Sequence, residues 1–365
     1  MQNGILILSG YNIRAVVAFC RWARRRDVPF HLVARNESDP IFLTNYRDDV
    51  VLTRENENLN LEDFCNWIQS ICQKYSYEKV LLLPSTEFLN RFMLSNLTVI
   101  ELSGGIVPLV SKELYEEISD KYSFGQLCLN YGIPVPDEQK YIPKTFPFVA
   151  KPRSYSSIQK RQLKPYLIFT PQDIADFKQN EVESEYYFQR YIDGQSLYLL
   201  AHIPKKGMPV FFSQENLIQQ TNGGSIILAR RSDLHKQLDI AVYVEMLNSI
   251  DFYGLIMLEL RLDKESNKYY MIEANPRLWG PLQLIVDNDI DILGSFLRDY
   301  GFDVNTLSNS DYDGEFYFWS GGLSDQENVV YHNFNPEKFV DKFSVIISNN
   351  LFIREDTFDL FRQEL

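Results

Sequence analysis

Cysteine is scarce in this sequence, and its spacing argues against a disulfide framework. The 365 residues include only four cysteines, Cys20, Cys65, Cys72 and Cys128. None of them forms a C-x-x-C pair, and all four lie in helix-like segments. A disulfide framework is not expected in a chain of this size. We therefore predict buried thiols in a reducing compartment.

Positive charge and long apolar runs are also scarce. Lysine and arginine number 36 against 49 acidic residues, which gives a net charge of -13. A general nucleic-acid surface needs clustered positive charge, so we expect no nucleic-acid partner, although a local basic pocket for a nucleotide phosphate is still allowed. No segment approaches the ~18 consecutive apolar residues of a membrane-spanning helix. The N-terminal segment lacks the basic region and cleavage site of a signal peptide. We expect a cytoplasmic protein with no membrane partner.

The histidines form no motif of a metal site or of a catalytic nucleophile, and the glycines form no dinucleotide-binding motif. The four histidines, His31, His202, His235 and His332, form no H-E-x-x-H or other ligand spacing. No serine or cysteine nucleophile with a paired histidine is visible, and we interpret the histidines as ordinary surface or core residues. The turn at residues 9–14 lacks G-x-G-x-x-G, so the sequence does not support a dinucleotide-binding half.

The pattern of apolar residues predicts an α/β beginning followed by mostly antiparallel structure. Residues 4–8 form a short apolar run typical of a buried parallel strand. An amphipathic helix follows, and residues 28–33 and 79–84 indicate two further strands. Ser85 and Thr86, which come next, either line a ligand crevice or cap the following helix, and we favour capping. Later segments indicate antiparallel hairpins.

The most informative feature is a pair of glutamates on neighbouring predicted strands. Residues 263–268 indicate a hairpin turn, and folding about this turn brings Glu259 opposite Glu273. Arg261 shares a face with Glu259 and Asn275 shares one with Glu273, because side chains alternate along a strand. Like charges directly opposite destabilise a sheet, so these carboxylates and the amide predict a site for Mg²⁺, which takes one or two carboxylates. The alternative is a solvated hairpin face, with Glu259 paired to Arg261 or a lysine.

Two lysines precede this hairpin. Lys151 ends an apolar strand, where a partly buried ammonium needs anionic or acceptor partners; the alternative is a salt bridge to a nearby acid. The chain resembles the ATP-grasp superfamily, and most closely its carboxylate–amine ligases, in the order of several segments. These are Asp120-Lys121, Gly132-Ile-Pro-Val-Pro136, Phe146-Pro-Phe-Val-Ala-Lys151-Pro152, Gln189-Arg-Tyr-Ile-Asp-Gly194, Glu259 and Glu273-Ala-Asn-Pro-Arg277.

This resemblance covers most of the chain and implies a domain organisation. It implies an N-terminal Rossmann-like pre-ATP-grasp domain over residues 1–110, followed by an ATP-grasp nucleotide-binding domain with antiparallel sheets over residues 111–300. Residues from about 145 to 195 correspond to its lid subdomain. We expect residues 301–365 to form an extension that packs on the ATP-grasp domain. A homodimer is expected by analogy alone.

The resemblance also implies roles for single residues in binding ATP together with Mg²⁺ or Mn²⁺. Glu259, Glu273 and Asn275 match metal ligands, with Glu273 as the bridge between two ions. Arg277 matches an arginine that faces the acyl phosphate or the substrate carboxylate, and Arg231 is a second candidate for that region. The residues matched to ATP are Lys121 and Lys151 at the phosphates, Gln189, Arg190, Tyr191 and Ile192 at the adenine, and Ser196 near the ribose.

The implied chemistry is C–N bond formation between a small-molecule carboxylate and an amine, through an acyl phosphate and with release of ADP and phosphate. Phosphoryl transfer needs positioning and countercharge. The loop at residues 153–157 departs from the family pattern because it contains no glycine, so the φ > 0 conformations that glycine adopts easily are missing. The alternative function is therefore a non-catalytic Mg-ATP-binding sensor or scaffold. A third is a kinase-like phosphotransferase.

Overall fold

Three β-sheets follow one another along the chain. The computed structural model describes residues 2–55, 58–139, 141–157, 161–221, 223–305, 314–324, 329–332 and 334–364. In these ranges a five-stranded parallel sheet comes first, a four-stranded antiparallel sheet second and a seven-stranded antiparallel sheet last. The predicted combination of an α/β beginning with antiparallel sheets is confirmed.

The N-terminal sheet is parallel, as its strand–helix–strand pattern predicts. Its strands are β1 (Gly4–Leu8), β2 (His31–Ala34), β3 (Val50–Thr53), β4 (Val80–Leu82) and β5 (Gly105–Ile106), in the order β3-β2-β1-β4-β5. The connecting helices are α1 (Ile13–Arg25), α2 (Leu61–Tyr75), α3 (Glu87–Ser95) and α4 (Leu97–Leu102). Strand β1 is buried throughout, which explains its uninterrupted apolar sequence. The edge strand β3 was missed in the sequence; its apolar run is only three residues long, Val50 to Leu52, and it is half-buried.

A helix cap at Asp120 sets the position of Lys121. Helix α5 (Lys112–Ser119) ends just before Asp120, and α6 (Lys121–Asn130) begins just after it. The Asp120 carboxylate accepts hydrogen bonds from the backbone N–H groups of Tyr122 and Ser123 at 3.1 and 2.9 Å, which satisfies two donors at the start of α6. The sequence predicts one continuous helix here, and the cap divides it into two.

The second sheet carries Lys151. Its strands are β6 (Glu138–Gln139), β7 (Phe148–Pro152), β8 (Tyr166–Ile168) and β9 (Tyr186–Arg190), in the order β6-β9-β7-β8. Helix α7 (Pro171–Asn180) packs on this sheet through Phe177, which joins Phe148 and Phe188 in a small aromatic core. Lys151 lies near the end of β7 and is followed by the glycine-free loop.

The large sheet carries the two glutamates. Its strands are β10 (Gly194–Ile203), β11 (Val210–Gln220), β12 (Ile226–Ser232), β13 (Gly254–Asp263), β14 (Tyr269–Asn275), β15 (Phe316–Phe318) and β16 (Val329–Tyr331). The order is β14-β13-β10-β11-β12-β15, and β16 pairs with β11. One face packs on α5, α6, α8 (Leu234–Gln237) and α9 (Ile240–Ser249). The other packs on α1, α10 (Gln283–Asp287) and α11 (Ile292–Arg298).

The last part of the chain contacts both earlier parts. Strands β15 and β16 add to the large sheet, and the Asp356 carboxylate accepts two hydrogen bonds of 2.8 Å from Arg21 on α1. The helices of this part are α12 (Gly321–Ser324), α13 (Pro336–Asp341), α14 (Phe343–Ser348) and α15 (Phe358–Glu364). The domain limits drawn from the sequence stay predictions.

All four cysteines are free thiols, and Cys20, Cys65 and Cys128 are buried. Among the helices in the described ranges, none has both the length and the apolar character needed to span a membrane.

Candidate active site

The two glutamates face each other across the β13–β14 hairpin, as predicted. Glu259 is the register partner of Glu273, and the pairing then shifts by one residue. This shift leaves Ile272 as the extra residue of a β-bulge, a feature that re-aims side chains beside functional sites. Glu259 is 8% exposed and the Glu273 side chain 22% exposed, so this face of the hairpin is largely buried rather than solvated. The pairing of Glu259 with Arg261 that belonged to the alternative is nevertheless present, at 3.6 Å.

Two lysines converge on the hairpin from different elements. The Lys121 ammonium, at the start of α6, forms an ion pair with Oε2 of Glu273. Lys151 is 6% exposed and its Nζ donates a hydrogen bond of 3.0 Å to the backbone oxygen of Ile272 at the bulge. Among the described residues, Lys151 has no carboxylate within ion-pair distance, so the salt bridge weighed as an alternative is not formed.

Burial and charge shift the pKa values of these groups in different directions. Burial raises the pKa of the Glu259 carboxyl, and the Glu273 carboxylate raises it further. Burial also opposes ionisation of Glu273, but the Lys121 ammonium outweighs it, so the pKa of Glu273 is lowered. Burial lowers the pKa of Lys151 to about 8, and Lys121 adds to this effect. A cluster in which burial and charge partners shift the pKa values of neighbouring groups this strongly is a candidate functional site.

Asn275 and Arg277 continue the cluster beyond Glu273. Nδ2 of Asn275 donates to Oε1 of Glu273 at 2.8 Å, and Nη2 of Arg277 donates to Oδ1 of Asn275 at 3.1 Å. Arg277 also donates to the backbone oxygen of Leu278 at 3.0 Å. Two of the three predicted metal ligands, Glu273 and Asn275, are thus linked by hydrogen bonds to the predicted anion-binding arginine.

The oxygen atoms of Glu259, Glu273 and Asn275 fit a hard divalent cation that fills its remaining coordination positions with other oxygen ligands. Among the described residues, no group of three His, Cys, Asp or Glu side chains is placed to hold a metal ion. The two carboxylates and the amide oxygen of Asn275 suit a cation of the Mg²⁺ type, which keeps several positions for water and phosphate. Among the described residues Glu259 has one ionic partner, Arg261, at 3.6 Å, so its carboxylate is weakly compensated and available to such an ion.

A cavity of about 260 Å³ opens between the small and the large sheet at this cluster. The predicted phosphate and adenine residues line it together, namely Lys121, Lys151, Gln189, Arg190, Tyr191 and Ile192. Glu259 and Glu273 lie at one end of it. Two larger cavities of about 640 and 490 Å³ meet the cluster at Glu273, Asn275 and Arg277. The arrangement therefore joins the cavity that the predicted nucleotide-binding residues line to further binding space next to Glu273.

The structure does not bring Ser196 or Arg231 to these cavities. Ser196 is fully buried, and its hydroxyl accepts a hydrogen bond of 3.0 Å from Asn216. The register places Arg231 in the same cross-strand row as Glu273, but on β12 rather than β14. Four strand spacings amount to about 19 Å. Neither residue lines any of the three cavities, so the structure gives no support to their predicted roles.

A wall of the smallest cavity escaped the sequence analysis. Arg261 donates from Nη1 to Nδ1 of His332 at 3.2 Å, and Nε2 of His332 contacts Oε1 of Gln219 at 2.8 Å. A guanidinium can only donate, so Nδ1 accepts and Nε2 carries the proton. Burial, with Arg261, lowers the pKa of His332 to about 3, which keeps the ring neutral. His332 is thus no ordinary core residue, and no sequence motif marks it.

The glycine-free loop has a contact that the sequence did not suggest. The guanidinium of Arg91, on α3, lies 4.1 Å from the centre of the Tyr155 ring. Arg91 also pairs with Glu87 at 2.9 Å. Tyr155 and Glu87 both line the two larger cavities. Thr86 caps α3 by accepting from the N–H of Leu89 at 3.2 Å, as expected, and also lines one of these cavities.

No protein-family model and no curated protein sequence matches the chain. Solved structures do match. The biotin carboxylase domain of 2-oxoglutarate carboxylase from Hydrogenobacter thermophilus, determined as a dimer with MgADP, ADP and bicarbonate, has a TM-score of 0.60 and 15% identity over 84% of this chain and 71% of that one. N5-carboxyaminoimidazole synthetase from Staphylococcus aureus has a TM-score of 0.59 and 14% identity over 84% of this chain and 80% of that one.

A third match is pyruvate carboxylase from Rhizobium etli, with a TM-score of 0.59 and 15% identity over 82% of this chain. This chain spans 28% of that longer one. At such low identity the likeness shows the backbone fold alone. The chain therefore has the ATP-grasp fold that its ordered motifs led us to expect.

Proposed function

We propose that this protein is an ATP-dependent ligase, which joins a small-molecule carboxylate to an amine through an acyl phosphate. One observation carries the proposal: the opposed Glu259 and Glu273 line one cavity together with the half-buried Lys121 and the buried Lys151. Structures with the same fold contain MgADP or ADP, which supports ATP and Mg²⁺ as the ligands. The four free thiols support a cytoplasmic enzyme.

The chain's own residues supply binding and countercharge. Lys151 and Lys121 would hold the phosphates, and the segment from Gln189 to Ile192 would hold the adenine. Glu259, Glu273 and Asn275 would hold Mg²⁺ or Mn²⁺, which supplies positive charge against the phosphate oxygens when bound. Phosphoryl transfer depends mainly on such positioning and countercharge, and this site offers both without a protein nucleophile.

The reaction has two steps. A carboxylate oxygen of the acid attacks the γ-phosphorus of ATP, and the bond from that phosphorus to the bridging oxygen breaks, with its electron pair leaving on ADP. The amine nitrogen then attacks the acyl carbon, the bond to the phosphate oxygen breaks, and the amine loses a proton. Arg277, beside Asn275 and open to both larger cavities, would orient the acid and compensate the charge that develops.

Two contacts favour the second candidate, a non-catalytic Mg-ATP sensor. Lys121 occupies Oε2 of Glu273, and Arg277 occupies the amide oxygen of Asn275, so these contacts must rearrange before the oxygens hold an ion. The glycine-free loop also favours the sensor, because its backbone adopts the conformations that cradle phosphate less easily. A sensor would bind Mg-ATP and form no acyl phosphate.

Trapping with hydroxylamine tests the proposal. Purified protein with Mg-ATP, a panel of carboxylic acids and hydroxylamine is expected to form a hydroxamate together with ADP. Nucleotide binding in the same samples is followed by calorimetry. Binding of Mg-ATP without hydroxamate or acid-dependent ADP across the panel would support the sensor. A stable phosphorylated product in place of hydroxamate would support a phosphotransferase.

A further inference from the structure

The cavity of about 490 Å³ lies between the N-terminal parallel sheet and the large sheet. Its walls combine Tyr11 and Arg14, from the start of α1, with Thr86 at the start of α3. Asn275 and Arg277 form the wall next to the carboxylate cluster. In open α/β sheets, ligands bind beyond the carboxyl ends of parallel strands. The position and size suit the acid substrate of the proposed ligase.

Arg14 is held in this wall by neutral groups. Its Nη2 donates to Oγ of Ser225 at 2.8 Å and its Nη1 donates to the backbone oxygen of Ile226 at 3.2 Å. Its guanidinium carbon lies 4.2 Å from the centre of the Trp319 ring. Among the described residues no carboxylate pairs with Arg14. A guanidinium has five N–H donors, so several remain for a ligand, on a side chain that is already fixed in place.

The absence of a side chain at Gly280 makes this placement possible. A Cβ atom built on Gly280 would lie 3.0 Å from Nη2, 3.1 Å from Cζ and 3.2 Å from Nη1 of Arg14. All three distances are shorter than ordinary carbon contacts. Gly280 follows Arg277 by three residues and lines the same cavity. The flat side of the Arg14 guanidinium thus lies next to the segment that carries Arg277.

The acidic side chains around the cavity have charge partners, whereas its arginines do not. Two acidic side chains line it, Glu87 and Glu273, and each already has a cationic partner, Arg91 and Lys121 respectively. The cations that line it are Arg14 and Arg277, and within the described residues neither forms an ion pair with a carboxylate. In a protein of net charge -13, a cavity with two uncompensated guanidiniums selects for anions.

We propose that the substrate is an acid with two separate anionic groups, here called a dianion whether the second group is a carboxylate or a phosphate, and that Arg14 and Arg277 bind one group each. Arg277 would orient the carboxylate that is activated, which rests on the proposed function. Arg14 would bind a second carboxylate or a phosphate at the other end of the same molecule. Planar guanidiniums match both groups with paired hydrogen bonds. Arg14 is then the residue that determines the substrate class.

Binding of matched acids, measured by calorimetry without turnover, tests this assignment. The probes are dicarboxylates from malonate to pimelate, each against the monocarboxylate of the same chain length, and 3-phosphoglycerate against glycerate. We expect at least one dianion to bind about tenfold more tightly than its partner, since a hydrogen bond to a charged group is worth at least this factor. The phosphate and carboxylate arms show which anion Arg14 prefers.

Variants separate substrate binding from a structural role. Arg14→Gln is expected to abolish the preference for the dianion, and Gly280→Ala is expected to weaken it by displacing the guanidinium without changing the charge. Arg362→Gln, at an exposed arginine, is the control and keeps the preference. The assignment is overturned if no dianion binds better than its partner, or if Arg14→Gln lowers the melting temperature and keeps the preference. Hydroxamate formation is scored separately, so an inactive ligase does not obscure the result.

Discussion

At the scale of single residues, the site depends on charges that are buried beside one another. Glu259 and Glu273 repel across the hairpin, and the structure compensates them unequally, with Lys121 on Glu273 and only a longer contact from Arg261 to Glu259. Lys151 is buried with a single backbone acceptor. Each of these groups gains from a ligand of opposite charge, which is the physical basis for placing a metal ion and phosphates here.

The first prediction concerns Glu273. Glu273→Gln keeps the shape of the side chain and removes its charge, so turnover in the hydroxylamine assay is expected to fall by about 10²-fold or more, because both the ion and Lys121 lose their partner. Glu265→Gln, in the exposed turn of the same hairpin, is the matched control with full activity. Near-normal turnover of Glu273→Gln, with unchanged thermal stability, would contradict the assignment.

The second prediction concerns pH. The pKa of Lys151 is lowered to about 8. The side chain therefore carries its positive charge below that pH and loses it above that pH. Phosphates bind the charged form, so the affinity for Mg-ATP is expected to stay level below pH of about 8 and to fall by up to about tenfold per pH unit above it. Calorimetry from neutral to alkaline pH measures the profile.

Lys151→Arg is the informative variant, because a guanidinium remains protonated across this range. Its affinity is expected to lose the alkaline decline, whatever its absolute value. Lys264→Arg, at an exposed lysine, should keep the wild-type profile. The same decline in wild type and Lys151→Arg would assign the titration to another group.

At the scale of elements, the site is assembled where the ends of strands and helices meet. The bulge in β14 turns both Ile272 and Glu273 toward the smallest cavity, and the cap at Asp120 brings Lys121 to the same point. The glycine-free loop is anchored from outside, by the stacking of Tyr155 on Arg91 of α3. This contact connects the loop after β7 with the N-terminal part of the chain across a substrate-sized space.

The third prediction follows from this contact. Tyr155→Leu removes the aromatic face, and a cation–π contact of about 0.5–1 kcal/mol then no longer holds the loop. Hydrogen exchange at residues 153–157 is expected to accelerate by about two- to fivefold, while the global melting temperature stays the same. Tyr155→Phe keeps the ring and should exchange like the wild type. Equal acceleration in both variants would assign the effect to the hydroxyl group instead.

At the scale of the whole molecule, the C-terminal part ties the large sheet to the N-terminal sheet. Arg354 forms two hydrogen bonds of 2.9 and 2.6 Å with the carboxylate of Asp287 on α10, and both side chains are almost fully buried. Asp356, two residues later, accepts from Arg21 on α1. The walls of the cavity that contains Arg14 and Arg277 come from these same parts, so their relative position sets its shape.

The fourth prediction tests this tie. Arg354→Met leaves the Asp287 carboxylate buried without its partner, so the free energy of unfolding is expected to fall by about 3–5 kcal/mol. Urea titration followed by fluorescence measures the change. The double variant Arg354→Met with Asp287→Leu should lose less, since no unpaired charge remains. The control is Asp359→Asn, which breaks an exposed ion pair with Arg362 and should lower the free energy of unfolding by less than about 1 kcal/mol. If Arg354→Met lowers the free energy of unfolding by no more than this control, the argument is refuted.

The sequence by itself determined the class of sheet, the hairpin and the opposition of its two glutamates. These depend on local rules: apolar runs specify buried strands, alternation specifies faces, and a polar turn fixes the register of its hairpin. The ATP-grasp fold was expected on different grounds, from the resemblance that the order of the lysine, hinge and carboxylate segments carries. The residues that this resemblance matched to ATP, Lys121, Lys151 and Gln189 to Ile192, line one cavity in the structure.

Only the tertiary structure decided which distant residues join this site and which do not. Arg14 and His332 line the cavities from elements far apart in the chain, and Arg91 contacts Tyr155 in a cavity wall. Arg231 is kept away by the spacing of four strands. Sequence patterns report the face on which a side chain lies, but the separation between elements is set by sheet order and by the packing of their cores. For this reason the carboxylate pair was readable in the sequence, whereas the cavity that would select its substrate was not.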